Sequence, residues 1–271
     1  MQKAFGTFKP LDIEPVEIDY ACKICKDHKV MECDQHESLF YKEDFDKQEV
    51  KFYRDCDCVI AKRNKERFER AIVKSNLEAI YDEIKNTEYI TKFEWQKEYK
   101  KKMNEFVKSE DKGLIMSGQT GSGKSLLLGK ALANLMYLGK DCHYMQWNKG
   151  MQKLVNQYNK IGVEEEAYFN RLCTVEVLYI DDLFKTEGND INKLPNKTIH
   201  ANMLWEIINK RMYVTGFKTI ISTELFEDDF NNLDKSLRGR LLQLTEKKEN
   251  WIQMDLKEDR DIRVKKFNQE F

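Results

Sequence analysis

One glycine-rich stretch limits the folds open to this chain more sharply than any other. Its residues are Gly118, Gln119, Thr120, Gly121, Ser122, Gly123, Lys124 and Ser125. They fit the phosphate-binding pattern GxxxxGK[ST] without a mismatch, and the flanking apolar runs predict a buried strand before the loop and a helix after it. Backbone N–H groups of such a loop and the helix N-terminus face a phosphate. We expect these residues to bind a nucleoside triphosphate, with Lys124 at the β and γ phosphates and Ser125 holding Mg²⁺.

A pair of carboxylates follows the next strongly apolar segment. Residues 175–180 predict a buried strand that ends in Asp181 and Asp182. Two acidic residues at a strand end beside a phosphate loop are typical of the catalytic half of an NTPase site. We expect Asp181 to orient Mg²⁺ through water or Ser125, and Asp182 to polarise the attacking water. The short reach of an aspartate predicts slow hydrolysis.

Two further polar elements are candidates for the same site. The predicted strand 219–222 ends in Thr223 and Glu224, and either side chain is placed to sense the γ-phosphate. Arg238 and Arg240 begin a predicted helix. They form either a solvated basic turn or an arginine finger that reaches the nucleotide of a neighbouring subunit.

The order of the predicted elements indicates an α/β fold in which helices flank a mainly parallel sheet. Predicted strands at 142–147 and 251–254 and helices at 124–138, 149–158 and 198–213 complete it, and the acidic segment 164–166 is interpreted as a link. The 46 basic residues nearly cancel the 47 acidic ones, so no global charge favours nucleic acid or a membrane. No apolar run approaches the roughly 20 residues of a membrane span, which predicts a cytoplasmic protein.

Cysteines cluster near the N-terminus, where cytosolic conditions favour metal binding over disulfides. The zinc ligands that we predict are Cys22, Cys25, Cys56 and Cys58. The second pair is CxC rather than CxxC, so the alternatives Cys33, His28 and His36 stay open. Four protein ligands make a closed, structural site, and the charged segment around it has too few apolar residues to fold without such a staple.

A charged segment with helical periodicity joins this part to the phosphate loop. Its basic beginning, from Lys62 to Arg70, either contacts nucleic acid or a partner or forms a solvated helix face, since glutamates are interleaved. We therefore predict three parts: a zinc-binding domain over residues 1–60, a helical linker over 61–108 and a nucleotide domain over 109–271.

Taken together, the motifs resemble AAA+ helicase loaders of the DnaC/DnaI type, in the versions of phages and low-GC Gram-positive bacteria. The resemblance covers nearly the whole chain and rests on the cysteine-rich N-terminus and on the segments 93–97, 118–125, 178–183, 219–225 and 237–240. It implies that Arg240 is the arginine finger, with Arg238 left open as an alternative, and that Arg263 stands at the sensor 2 position. At the sensor 1 position, where the family commonly has Asn, this chain has Glu224. Thr223 therefore stays open as an alternative for the sensor 1 role.

The resemblance also implies a function. A P-loop AAA+ ATPase domain would bind ATP or ADP with Mg²⁺, self-assemble through the ATP site and engage single-stranded DNA. The zinc domain would dock on a DnaB-type hexameric replicative helicase. Candidate DNA contacts are Lys149, Lys153 and Lys160, which could equally form a solvated face. Two other functions stay open: a transposition helper ATPase of the IstB type, and a nucleotide-switched adaptor that does not hydrolyse ATP.

Overall fold

The structure is a computed structural model that describes residues 29–33, 38–44, 49–158, 163–186, 190–194, 196–256 and 261–262. The described chain divides into two units, one that ends at Arg70 and one that begins at Ala71. Among the described helices, none is both long enough and apolar enough to span a membrane.

The first unit contains a three-stranded antiparallel sheet. Its strands are β1 (Val30–Cys33), β2 (Phe40–Asp44) and β3 (Glu49–Asp55), in the order β1-β3-β2. Helix α1 (Asp57–Lys74) begins directly after β3 and Cys56. The backbone N–H of Cys56 donates to the carbonyl oxygen of Lys29 at 2.9 Å, which joins the start of α1 to the chain just before β1.

The second unit is built on a five-stranded, entirely parallel sheet. Its strands are β4 (Gly113–Gly118), β5 (Cys142–Gln146), β6 (Val177–Leu183), β7 (Lys218–Thr223) and β8 (Trp251–Met254). They lie in the order β5-β6-β7-β4-β8. Because β7 lies between β4 and β6, the ends of all three meet at one edge, where ligands bind in such sheets. The predicted parallel α/β fold is confirmed.

Eight helices of the second unit surround this sheet within the described residues. They are α2 (Glu78–Asn86), α3 (Glu94–Lys108), α4 (Lys124–Tyr137), α5 (Trp147–Tyr158), α6 (Val163–Thr174), α7 (Lys197–Met212), α8 (Asp229–Leu233) and α9 (Lys235–Thr245). Alternate residues of a strand point to opposite faces. Ile115 and Ile221 therefore pack in the core with Leu204 of α7 and Leu241 of α9, and α2 and α3 both pack against α4.

The prediction that the acidic segment 164–166 is a link is wrong, because this segment forms the first turn of α6. Acidic residues favour a helix N-terminus. The apolar residues that follow carry the helix onto the core, where Leu172 and Cys173 are buried and Tyr168 and Phe169 pack at the edge.

Arg211, near the end of α7, is a fully buried cation that ties several elements together. It is 1% exposed. Its guanidinium donates to the carbonyl oxygens of Leu172, Val175, Glu176 and Lys218 and to the hydroxyl of Thr219. One side chain thus joins the end of α6 to the starts of β6 and β7, with its donors satisfied as a buried charge requires.

Candidate active site

The predicted phosphate loop joins β4 to α4, and three of its glycines have backbone angles that other residues rarely adopt. Gly118, Gly121 and Gly123 have φ values of +96°, +75° and +86°. A Cβ at Gly118 would also lie 2.1 Å from the carbonyl oxygen of Met254 on β8. The glycines therefore let the loop curl tightly against the sheet, with the N-terminus of α4 facing the cavity.

Lys124 is the first residue of α4, and its ammonium group lies back over the loop. Nζ donates to the carbonyl oxygen of Gly118 at 2.8 Å and to that of Gln119 at 2.6 Å. Burial lowers the pKa of Lys124 to about 8, although the charges of Glu224 and Asp182 act in the opposite direction. A bound phosphate would provide a direct anionic partner for this buried cation.

Asp181 forms the centre of a network of hydroxyl groups. It is 6% exposed and accepts hydrogen bonds from four side chains. The donors are Ser125 at 2.9 Å, Tyr179 at 2.6 Å, Tyr144 at 3.0 Å and Ser222. The hydroxyl of Ser125 and the carboxylate of Asp181 meet as predicted, and hard oxygen ligands of this kind suit Mg²⁺.

Sequence reasoning missed the three other donors to Asp181. Burial, followed by the charge of Asp181, raises the pKa of Tyr144 and of Tyr179, so both phenols stay protonated as donors. Tyr179 lies two residues before Asp181 on one strand, so both side chains point to the same face, and this spacing is visible in the sequence. Tyr144 pairs with Tyr179 across β5 and β6, a register that the sequence does not reveal.

Asp182 lies where β6 leaves its regular pairing with β7. The register shifts between Ile180 and Leu183, and Asp182 has a φ of +55°. Burial and then the charge of Asp181 raise the pKa of Asp182. Irregular strand ends of this kind re-aim side chains beside active sites, and here Asp182 faces the cavity.

The cavity above the phosphate loop brings together residues from five parts of the second unit. Its lining consists of Glu83, Thr87, Glu88, Tyr89, Ile90, Thr120, Gly121, Ser122, Gly123, Lys124, Ser125, Leu126, Asp182, Lys185, Glu224 and Ile262. Of the two candidate sensors, Glu224 lines it. The hydroxyl of Thr223 is fully buried, donating to the carbonyl oxygen of Leu183 and accepting from the N–H of Leu225.

The remaining predicted residues lie elsewhere or outside the described residues. Arg240 contacts the Tyr213 hydroxyl at 3.2 Å and Gln243 at 2.9 Å, whereas Arg238 pairs with Glu227. Neither arginine lines its own chain's cavity. Lys149 and Lys153 are exposed on α5. Lys160 and Arg263 lie outside the described residues.

The predicted zinc site falls partly outside the described residues. Cys22, Cys25 and the alternatives His28 and His36 are not described. Cys56 is fully buried and Cys58 is half-buried in the first turn of α1. The described part of the chain contains no group of three or more side chains suited to a metal.

Known proteins similar to this chain were found by sequence and by structure, while no protein-family model matches it. The uncharacterized protein YqaM of Bacillus subtilis strain 168 is 27% identical over 204 residues, which cover 71% of this chain and 61% of that protein. The phage-like element PBSX protein XkdC of the same strain is 29% identical over 157 residues, which cover 56% of this chain and 54% of that protein. The chain thus spans less than two thirds of the length of these relatives.

Solved structures with a similar fold come from DNA replication proteins. A DNA replication initiation factor superposes with a TM-score of 0.51 and 18% identity, over 69% of this chain and 53% of its own. AMPPCP-bound DnaA from Aquifex aeolicus superposes with a TM-score of 0.50 and 18% identity, over 67% of this chain and 52% of its own. DnaI superposes with a TM-score of 0.48 and 14% identity, over 66% of this chain and 89% of its own. Fold and site together define the class: a parallel α/β fold with a phosphate-binding loop, shared with these DNA replication proteins.

Proposed function

We propose that this protein is an ATP-dependent loader of a DnaB-type replicative helicase onto single-stranded DNA at the initiation of replication. ATP is bound with Mg²⁺, and its slow, partner-stimulated hydrolysis to ADP ends each loading event. Such a protein acts in the cytoplasm, where replication of bacterial and phage DNA takes place.

One observation carries the ATPase part of this proposal. The hydroxyl of Ser125, at the start of α4, lies 2.9 Å from the carboxylate of Asp181 on β6, although 56 residues separate them. A metal ion held at this point would bridge the phosphate loop and the acidic strand. Asp182 and Glu224 line the same cavity, where they would act on the γ-phosphate of a bound triphosphate.

The helicase-loading part rests on the sequence motifs, on the fold and on one relative. The chain's motifs resemble those of DnaC/DnaI-type loaders, and its fold is shared with a DNA replication initiation factor and with DnaA. A DnaA structure with 16% identity and a TM-score of 0.50 contains AMPPCP and single-stranded DNA, which fits the ligands that we propose here. The relative XkdC belongs to a phage-like element, and a phage needs to direct a helicase to its own DNA.

We assign roles to the residues outside the phosphate loop as follows. Arg240 of a neighbouring subunit completes the site on assembly; this assignment rests on the resemblance and on the position of Arg240 on α9, away from the cavity of its own chain. Arg263 contacts the nucleotide as sensor 2. A zinc ion held by Cys22, Cys25, Cys56 and Cys58 stabilises the segment that docks on the helicase. Within the described residues, Cys56 and Cys58 fit this role because they lie two apart at the start of α1.

The decisive experiment measures helicase transfer to circular single-stranded DNA, which has no end to thread. The full chain is mixed with the replicative helicase of its host, and DNA-bound helicase is counted after gel filtration. We expect transfer with MgATP and none with Lys124→Ala, whereas Lys193→Ala, a change of an exposed lysine outside the cavity, transfers normally.

The other outcomes identify the alternative functions. If no complex with the helicase forms but the protein coats duplex DNA with ATP, an IstB-type helper ATPase is the better assignment. If complexes form and respond to ATP while no phosphate is released even with helicase and DNA, the protein is a nucleotide-switched adaptor.

A further inference from the structure

Lys185 occupies the cavity beside the phosphate loop, and none of the roles assigned above involves it. Its Nζ lies 3.0 Å from Oδ2 of Asp182 and 3.4 Å from Oε1 of Glu224. The side chain of Glu224 is 10% exposed and that of Asp182 is 24% exposed, so a single ammonium group bridges two shielded carboxylates.

The backbone after β6 is shaped so that Lys185 reaches this position. The N–H of Lys185 donates to the carbonyl oxygen of Asp182 at 3.1 Å, closing a turn. Asp182 and Phe184 both have positive φ, at 55° and 54°. Phe184 is fully buried against Trp147 with ring centroids 5.1 Å apart, which anchors the turn. Such strained residues persist where surrounding structure holds them, and they cluster at functional sites.

The charges explain why a cation is needed here. A triphosphate is a polyanion, and Glu224 places a nearly buried carboxylate in the cavity that it would enter. Without a counter-charge this carboxylate would repel the phosphates. The charge of Lys185 lowers the pKa of Lys124, whereas the charges of Glu224 and Asp182 raise it. These groups therefore interact across the cavity.

We propose that Lys185 binds the terminal phosphate of the nucleoside triphosphate, with Glu224 as the positioning residue that holds its ammonium group in place. This inference rests on the proposed function, since the cavity must accept a triphosphate. In the free protein Lys185 is paired with two carboxylates. On binding, it shares its three N–H donors between them and the terminal phosphate, a contact that a diphosphate cannot make.

The test compares two ligands in the full chain: MgAMPPCP, which has a terminal phosphate, and MgADP, which lacks it. Affinities are measured by calorimetry for wild type, Lys185→Ala, Lys185→Arg and the exposed control Lys193→Ala. We expect Lys185→Ala to weaken AMPPCP binding about ten-fold and ADP binding less than about two-fold, the size of one charge-assisted hydrogen bond. Lys185→Arg keeps most of the preference for the triphosphate, because it keeps the charge.

The double variant Lys185→Ala/Glu224→Gln separates direct contact from simple neutralisation. We expect it to recover only part of the AMPPCP affinity, because the repelling carboxylate is gone but the phosphate still lacks its donor. Full recovery would overturn the proposal, since Lys185 would then only neutralise Glu224.

Other outcomes also overturn the inference and remain distinct from failure of the proposed function. If Lys185→Ala leaves the affinity for AMPPCP unchanged and hydrolyses ATP faster, Lys185 instead slows hydrolysis through its ion pair with Asp182. Equal losses for both ligands would assign Lys185 to the architecture of the cavity. If wild type binds neither nucleotide, the proposed ATPase function fails and this inference fails with it.

Discussion

Methionine in place of Lys124 removes a charge that the fold holds away from water. The pKa of Lys124 falls from 10.5 to about 8 through burial, and the residue is 7% exposed. At pH 7 this lysine is protonated in both the folded and the unfolded chain, so the folded state bears the whole penalty. A difference of about 2.5 pKa units (10.5 minus 8) corresponds to about 3 kcal/mol of lost stability.

The two hydrogen bonds of Lys124 oppose this gain. The methionine side chain could not donate to the carbonyl oxygens of Gly118 and Gln119, and each lost bond costs about 1 kcal/mol. The carbonyl of Gln119 keeps a second donor, the hydroxyl of Ser122 at 2.8 Å. We therefore expect the free energy of unfolding of Lys124→Met to exceed that of wild type by about 1 kcal/mol at pH 7.

The sign of this difference changes with pH. The folded pKa of Lys124 lies below the unfolded value, so the unfolded chain binds more protons between about pH 8 and pH 10.5. Wild type therefore gains stability relative to the variant across this window. At pH 9.5 the penalty falls to about 1.4 kcal/mol, which is less than the two lost hydrogen bonds. Wild type should then be the more stable protein.

Urea unfolding of wild type, Lys124→Met and the exposed control Lys193→Met at pH 7 and pH 9.5 checks this reasoning. MgADP should stabilise wild type and the control but leave Lys124→Met unchanged, because the phosphate contact is lost. A stability difference between Lys124→Met and wild type that stays the same at both pH values would refute the argument from burial.

Three further predictions concern residues away from the phosphate loop. Arg240→Ala should keep ATP binding but slow assembly-stimulated hydrolysis by about 10³-fold or more, the scale of known arginine fingers. A phosphate-release assay measures this. If Arg238→Ala loses the stimulated hydrolysis instead, Arg238 is the arginine finger. Arg211→Met should lower the free energy of unfolding in urea by about 1–3 kcal/mol, because buried carbonyl oxygens lose their donor, a cost partly offset by removal of the buried charge; a variant as stable as wild type would contradict this. Elemental analysis of protein purified without chelator should find about one zinc per chain, and under half of that excludes the four-cysteine site.

Local patterns were enough to predict the parts of the site that depend on adjacent residues. The phosphate loop needs its glycines and Lys124 in sequence, and the strand before Asp181 is a continuous apolar run. Both lie where the pattern placed them, at the ends of β4 and β6, the two strands that flank β7 in the parallel sheet.

What the sequence could not supply depends on pairings between distant strands and on local irregularity. Tyr144 reaches Asp181 only because β5 pairs with β6 in one register. Lys185 faces the cavity because β6 shifts its register after Ile180, and no composition rule indicates that shift. Helix α6 was missed for a different reason: its acidic first turn hides the apolar periodicity that follows it.

In the free protein, Lys124, Lys185 and Asp181 already have polar partners within this site, and these pairings suggest how nucleotide binding changes the structure. Lys124 uses two loop carbonyls as partners, and Lys185 uses two carboxylates. Asp181 differs from both, because the side chains that hold it within the described residues are four hydroxyl groups. Phosphates entering the cavity would therefore draw Lys124 from the loop carbonyls and would share the donors of Lys185 with its two carboxylates, while the carboxylate at the metal position keeps its place. Nucleotide binding would then act on two segments: the phosphate loop, whose glycines let its backbone adjust, and the turn after β6, where Asp182 and Phe184 have positive φ.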